Sequence, residues 1–135
     1  VTSNLSPNLG KAGTVVTLSV ELDEAPAQAP AARMGNQLLP LQSSPQPTQF
    51  VYSLTIDPLE FADDVYPVAL EAADAAGNQL IASLGTVRVD TGAPAIVASV
   101  SPAFANNGDT VQVLLTASEA LSAVPVVTLT LGRMV

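Results

Sequence analysis

Carboxylates are the one class of reactive side chain this chain holds in number. Twelve Asp and Glu stand against four Lys and Arg, a formal net charge of −8, and there is no His, Cys or Trp. Thiol, disulfide and imidazole-base chemistry therefore lack their groups, and zinc, copper and iron lose their preferred ligands. Acids cluster at Asp23-Glu24, at Glu60 and at Asp63-Asp64. Glycoside hydrolysis would use two such carboxyls, but it needs a cleft and an aromatic platform for the sugar. The three Phe and two Tyr are mostly claimed by an apolar periodicity described below, so the acids read as solvated turn formers. Lys11, the only lysine, sits in a loop beside Gly10 and offers no serine a base. Asn4-Leu5-Ser6 has the form of a glycosylation sequon, with Pro7 directly after it disfavouring use. No constellation supports an enzyme.

The remaining composition narrows the partners. With no basic cluster there is nothing to grip nucleic acid or an anionic membrane. No apolar run reaches the roughly 18 residues that suggest a membrane span, and no signal peptide is evident, so the chain reads as a mature piece or an excerpt. Absence of cysteine does not argue for the cytosol, because a domain of this size needs no disulfide.

The elements that must carry these residues are strands. Val16, Leu18, Val20 and Leu22 alternate with Thr17, Ser19, Glu21 and Asp23, and Phe50, Tyr52, Leu54 and Ile56 alternate with Val51, Ser53 and Thr55. That is the period of two of a strand with one face on a core and the other in water. Val1 to Leu5 reads as an opening strand and Ala31 to Met34 as a third strand, ended by Gly35-Asn36. Gln37 to Leu41 reads as a brief strand broken by Pro40, and Ser43 to Thr48 as a proline loop. Asp57 to Asp64 turns a corner, with Leu59 and Phe61 available to plug the end. Tyr66, Val68, Leu70 and Ala72 point inward on the next strand, where Pro67 is expected near the strand's start or at an unpaired edge position. Asp74 to Asn78 is a tight turn, and Val87 and Val89 close the copy.

After Val89-Asp90-Thr91-Gly92-Ala93-Pro94 the pattern begins again. Ser6-Pro7 falls on Ser101-Pro102, Gly13 on Gly108, Val16 on Val111, Glu24-Ala25 on Glu119-Ala120 and Pro30 on Pro125, a period of 95 residues without a gap. The domain reading is a module over 1–91, a linker over 92–94 and a partial second module over 95–135. In the second copy Val111, Val113, Leu115 and Ala117 are expected inward, and Val126 to Leu131 is expected to form a third strand. The fold class is all-β, a Greek-key β-sandwich with one complete module plus the first strands of a second.

Asp64-Val65-Tyr66, the run from Val68 to Asn78, the Val-Asp-Thr-Gly-Ala-Pro linker and Ser118-Glu119-Ala120-Leu121-Ser122 together resemble the bacterial immunoglobulin-like repeats found in tandem in large surface proteins and adhesins. The resemblance implies an immunoglobulin-like fold, an extracellular or cell-surface address, and a role as spacer or adhesive surface. It makes Tyr66 a corner tyrosine bonded to the preceding turn. Pro67 and the proline-rich centre depart from the family pattern.

In a sandwich of this topology Glu60, Asp63 and Asp64 gather near Asp90 and Thr91, facing Glu119 of the next copy. Such carboxylates would repel one another, and an interdomain calcium ion with oxygen ligands would relieve them and stiffen the joint. Glu24 and Asp74 would form the matching face toward a preceding module. The expected partners are neighbouring copies of the module, either in cis within a longer array or by strand complementation in trans. Function is then that of a structural repeat in an adhesin stalk or filament, giving reach and stiffness. The alternative is a carbohydrate- or peptide-binding accessory module, which an exposed aromatic at Phe61 or Phe104 would favour.

Overall fold

The alternation around Val16 becomes the centre of the fold. In the computed structural model, which describes residues 1–130, β3 (Val15–Glu21) buries Val16, Leu18 and Val20 and leaves the residues between them half-buried or exposed. A slip of one residue in its pairing would turn all three into water, at ~1.5–3 kcal/mol each. Its neighbours are β1 (Thr2–Ser6) on one edge and β7 (Gln49–Thr55) on the other, both antiparallel. β6 (Leu41–Gln46) completes a four-stranded sheet in the order β1-β3-β7-β6.

A second sheet brings together β2 (Leu9–Gly10), β4 (Ala31–Met34), β5 (Gln37–Leu39), β8 (Asp64–Ala73) and β9 (Gln79–Val89), in the order β2-β9-β8-β4-β5. One core lies between the two sheets. Val16, Leu18, Phe50 and Tyr52 come to it from the first, and Met34, Val68, Leu70, Val87 and Val89 from the second. Tyr52 carries its hydroxyl inside because the Pro30 carbonyl accepts it at 2.8 Å, which satisfies a polar group that burial would otherwise penalise.

Among the described residues there are eleven strands in three sheets and no helix. The chain divides into two units, Val1–Gly92 and Ala93–Val135. In the second unit β10 (Ile96–Ser101) and β11 (Gln112–Ala117) form a two-stranded antiparallel sheet. Adding 95 to both partners of every β1–β3 pair yields a β10–β11 pair: Leu5↔Leu18 becomes Val100↔Val113, and Asn4↔Ser19 becomes Ser99↔Leu114. The turn before the second strand also repeats. Thr14 N–H donates to the Lys11 carbonyl at 3.0 Å and Lys11 N–H to Thr14 Oγ1; Asp109 N–H donates to the Asn106 carbonyl at 3.1 Å and Asn106 N–H to Asp109 Oδ2. Gly13 and Gly108 take φ of +82° and +92° at the same place in that turn, a backbone region that disfavours side chains. Val111, Val113, Leu115 and Ala117 alternate with exposed neighbours as expected, though half-buried rather than buried.

Four expectations are corrected. Ser43 to Thr48 is not simply a loop, because β6 runs through Pro45. As the outermost strand, with every residue exposed and two register shifts against β7, it can hold a proline with no ladder partner on its outer side. Leu59 is 93 % exposed and plugs nothing, while Phe61 is buried. Here Glu60 and Phe61 N–H both donate to the Asp57 carbonyl, a single tight turn that places Leu59 on the side opposite Phe61. Of the two aromatics a sugar platform could use, Phe61 is buried and falls away, while Phe104 in the second unit is 94 % exposed. Residues 126–130 form no strand; the last residue of that expected strand, Leu131, lies outside the described residues. Its counterpart β4 is held between β8 and β5, and no strand equivalent to either exists in the second unit among the described residues.

Pro67 sits fourth in β8, opposite Thr86 of β9. Its carbonyl accepts Gly35 N–H at 2.8 Å, and since N and O of one strand residue share a side, the missing N–H faces the Gly35 turn, beyond the last β4–β8 pair at Met34↔Val68. β8 is thus an interior strand rather than an edge, and the proline falls one residue beyond the β4–β8 pairs while remaining paired with β9 on its other side.

Candidate functional site

The acids singled out above converge, where they converge at all, at the end of the first unit where β9 leaves the sheet. Phe61 anchors that end. Its ring meets Tyr66 edge to face at a centroid distance of 5.0 Å and an interplanar angle of 90°. Tyr66 in turn donates its hydroxyl to the Ala62 carbonyl at 3.0 Å, so the residue before Asp63 is tied to the start of β8. Gly35 lets the Tyr66 ring lie against the backbone: at φ +57°, a Cβ there would stand 2.9 Å from Tyr66 Cδ1.

From this platform Asp63 reaches the departing chain. Its Oδ1 accepts both the N–H and the hydroxyl of Thr91, each at 2.6 Å. These charge-assisted bonds hold the carboxyl below the ordinary Asp range, the Thr91 hydroxyl contributing most, then the Thr91 N–H, with Gly92 N–H adding to them. On the other side of the exit Asp90 N–H donates to the Gly10 carbonyl at 2.9 Å, and Arg88 N–H to the Asn8 carbonyl at 2.8 Å. β2 and β9 are parallel, with Leu9↔Arg88 and Gly10↔Val89 paired. The exit segment Asp90-Thr91 is thus held by one backbone bond to β2, donated by Asp90 N–H, and by the Asp63 carboxylate.

Asp90 is the one predicted acid that stays near Asp63: Asp63 Oδ2 and Asp90 Oδ1 lie 3.3 and 3.9 Å from where a Cβ on Gly92 would stand. The others have separate surroundings. Asp64 turns its Oδ1 to the N–H of Val65 at 2.7 Å, Glu60 is exposed in the Asp57 turn, and Glu119 is exposed in the second unit. Among the described residues no three Asp, Glu, His or Cys side chains are grouped so as to hold a metal ion. Asp23, Glu24, Glu60, Asp63 and Asp64 are all exposed, and Asp63, with its lowered pKa, is the reverse of a general acid, which needs a raised one.

Asp74, weighed as part of an opposite face, closes its own turn. Its Oδ1 accepts Ala76 N–H at 2.9 Å and Asn78 N–H at 2.8 Å, and Oδ2 accepts the Asn78 side-chain amide at 2.7 Å. The Asn78 side chain, then its N–H, hold Asp74 below the usual range. This clasp between β8 and β9 and the Asp63–Thr91 clasp are what a sequence search for charge clusters misses: each pairs an acid with donors, and Thr91 and Asn78 carry no charge to mark them. The chemistry such sites perform is conformational, fixing where the chain turns and where it leaves.

Comparison of the chain with protein-family models, with curated proteins and with solved structures finds no match.

Proposed function

We propose that this chain is part of a tandem array of immunoglobulin-like β-sandwich modules, a spacer in an extracellular surface protein, stalk or filament whose work is reach and stiffness rather than catalysis. The observation that carries the reading is the repetition: the same strand pairing and the same hydrogen-bonded turn recur 95 residues apart. A repeat that rebuilds the same supersecondary unit is the signature of an array.

Three further features support the immunoglobulin-like assignment. The order β1-β3-β7-β6 against β2-β9-β8-β4-β5 matches the two-sheet pattern of that fold, with the opening segment divided at Pro7 between an antiparallel pair with β3 and a parallel pair with β9. Tyr66 makes the upstream backbone bond of a corner tyrosine. The exit at Asp90-Thr91 is clasped by Asp63 and β2, as a stiff spacer requires of the place where force and direction pass out of a module. The surface address rests on the resemblance of the linker, the Val68 to Asn78 run and the Ser118 to Ser122 segment to bacterial surface repeats.

β9, with 11 residues at ~3.3 Å each, spans ~36 Å, which sets the scale of one module. Chains carrying two, three and four of the 95-residue repeats, measured by small-angle X-ray scattering, should gain a constant increment of that order in maximum dimension. A maximum dimension that levels off, as in a collapsed cluster of modules, would contradict the spacer reading.

A further inference from the structure

We infer that chains of this protein associate side to tip: the outer face of the second sheet, between Arg33 and Arg88, receives the Asp57–Glu60 turn of a second copy. The contact uses surfaces of the first unit alone. It goes beyond the spacer reading, adding to a module's reach a means of gathering one chain against another.

Alternation decides what that face carries. Met34, Val68, Leu70 and Val87 belong to the core, so the residues between them point outward. Arg33 opposes Ala69 and Arg88 opposes Val65. The two arginines therefore flank β8 on opposite sides, ~16 Å apart by strand spacing and rise. Leu38 stands opposite Arg33 and Leu9 opposite Arg88, and with Val65 these are exposed apolar side chains on one face. Among the described residues the face has one acid, Glu71, a row beyond Arg33. Among them, too, neither arginine has an ion-pair partner, and Arg33 reaches no nearer than the Asn36 carbonyl at 3.5 Å. The outer face of the first sheet instead carries Thr17, Ser19 and Ser53. Exposed apolar groups set among arginines, with carboxylates scarce, are the composition of a contact surface.

The Asp57 turn is its complement. Glu60 and Phe61 N–H donate to the Asp57 carbonyl at 3.0 and 2.9 Å, and Leu59 N–H donates to Asp57 Oδ1 at 2.9 Å. Leu59 is thereby fixed at the tip of the turn, almost wholly in water, between the exposed carboxylates of Asp57 and Glu60. An apolar knob flanked by two acids matches an apolar face flanked by two arginines, whose long stems let the guanidinium groups close on whatever stands between them. Pairing of arginine with carboxylate gives direction to a contact whose apolar part has none. The occupant is a second copy because the face and its opposite in charge are both displayed on one chain.

Sedimentation equilibrium of the full chain, at concentrations up to about 1 mM as a small contact requires, reads the association: weight-average mass should rise with concentration. Arg33→Glu with Arg88→Glu spoils the face and keeps the turn. Leu59→Ala with Glu60→Arg spoils the turn, keeps the face and leaves the Asp57 bonds in place. All four positions lie on the surface, and thermal melts followed by circular dichroism should match the parent chain. Each variant alone should associate at least about tenfold more weakly, and an equimolar mixture should associate again, because the turn of the first meets the face of the second. A parent chain that stays monomeric, variants that associate as the parent does, or a mixture no heavier than its separate components would overturn the inference. None of these results bears on the spacer reading, which is decided by how maximum dimension grows with the number of repeats.

Discussion

Val16 and Val111 are the same residue at the same place in the repeat, and replacing each by alanine should have very different consequences. Val16 is fully buried and opposed across the ladder by Leu54, itself packed against the core. Val→Ala removes two methyl-sized groups at ~0.8 kcal/mol each in transfer free energy. The cavity left between two sheets adds to this, so the cost is about 2–3 kcal/mol. A unit spanning Val1–Gly92, at ~2.1 cal/mol/K of unfolding entropy per residue, loses about 5 °C per kcal/mol, which places the Val16→Ala transition about 10–15 °C lower. Val111 is half-buried with no opposing layer among the described residues, so Val111→Ala should cost no more than about 0.5 kcal/mol and leave the main transition within about 2 °C. Thermal unfolding followed by far-ultraviolet circular dichroism on the full chain reads both. Equal shifts for the two variants, or a Val16→Ala shift under about 3 °C, would refute the reasoning that the two copies share a strand pair but not a closed core.

Tyr66→Phe removes the bond to the Ala62 carbonyl and should cost about 1 kcal/mol, or about 5 °C, in the same melt; an unchanged midpoint would deny the corner its role. Gly35→Ala forces a Cβ to φ +57° and to 2.9 Å from the Tyr66 ring, and should destabilise by at least about 1 kcal/mol in a urea titration. Asp63 and Asp74 both have lowered pKa values, so the stability they contribute is present above the unfolded Asp pKa of ~3.9 and disappears as pH falls through the lower folded values; nuclear magnetic resonance titration of the Thr91 and Asn78 amides should show both clasps opening only below pH ~4. Burial pushes Tyr52 up to about 12, above the unfolded value of ~10. Its neutral form therefore favours the fold below pH ~10, and that contribution fades between there and about 12. Phenolate absorbance in a Tyr66→Phe background should accordingly rise near 12 rather than near 10.

What could be read from the sequence follows from what burial writes into it. β3, β7 and the inner face of β8 alternate because one face of each is closed off by the core, and that constraint reaches every second residue. β6 carries no such mark: all its residues are exposed, so its serines and Pro45 look like loop and only the neighbouring β7 makes them a strand. β9 extends from Gln79, well before the Val87 and Val89 that mark its core end, because its first half is largely exposed or half-buried and interrupted by a bulge opposite Val68. Residues 126–130 look like β4 by repetition, yet a strand is a relation between two segments, and repetition of one without its partner does not produce it. At the module exit the acids were legible and their arrangement only partly so. Asp63 lies beside Thr91 as topology suggests, but it is met there by a hydroxyl and N–H groups, which compositional reasoning about charge does not register.

The shared pairing scheme of the two copies is most directly read by cross-strand nuclear Overhauser effects on the isotopically labelled chain. Every contact seen between β1 and β3, such as Leu5 to Leu18, should have its counterpart 95 residues on, as Val100 to Val113. Contacts in the second unit displaced by even one residue from that correspondence, or absent while those of the first unit are strong, would contradict it.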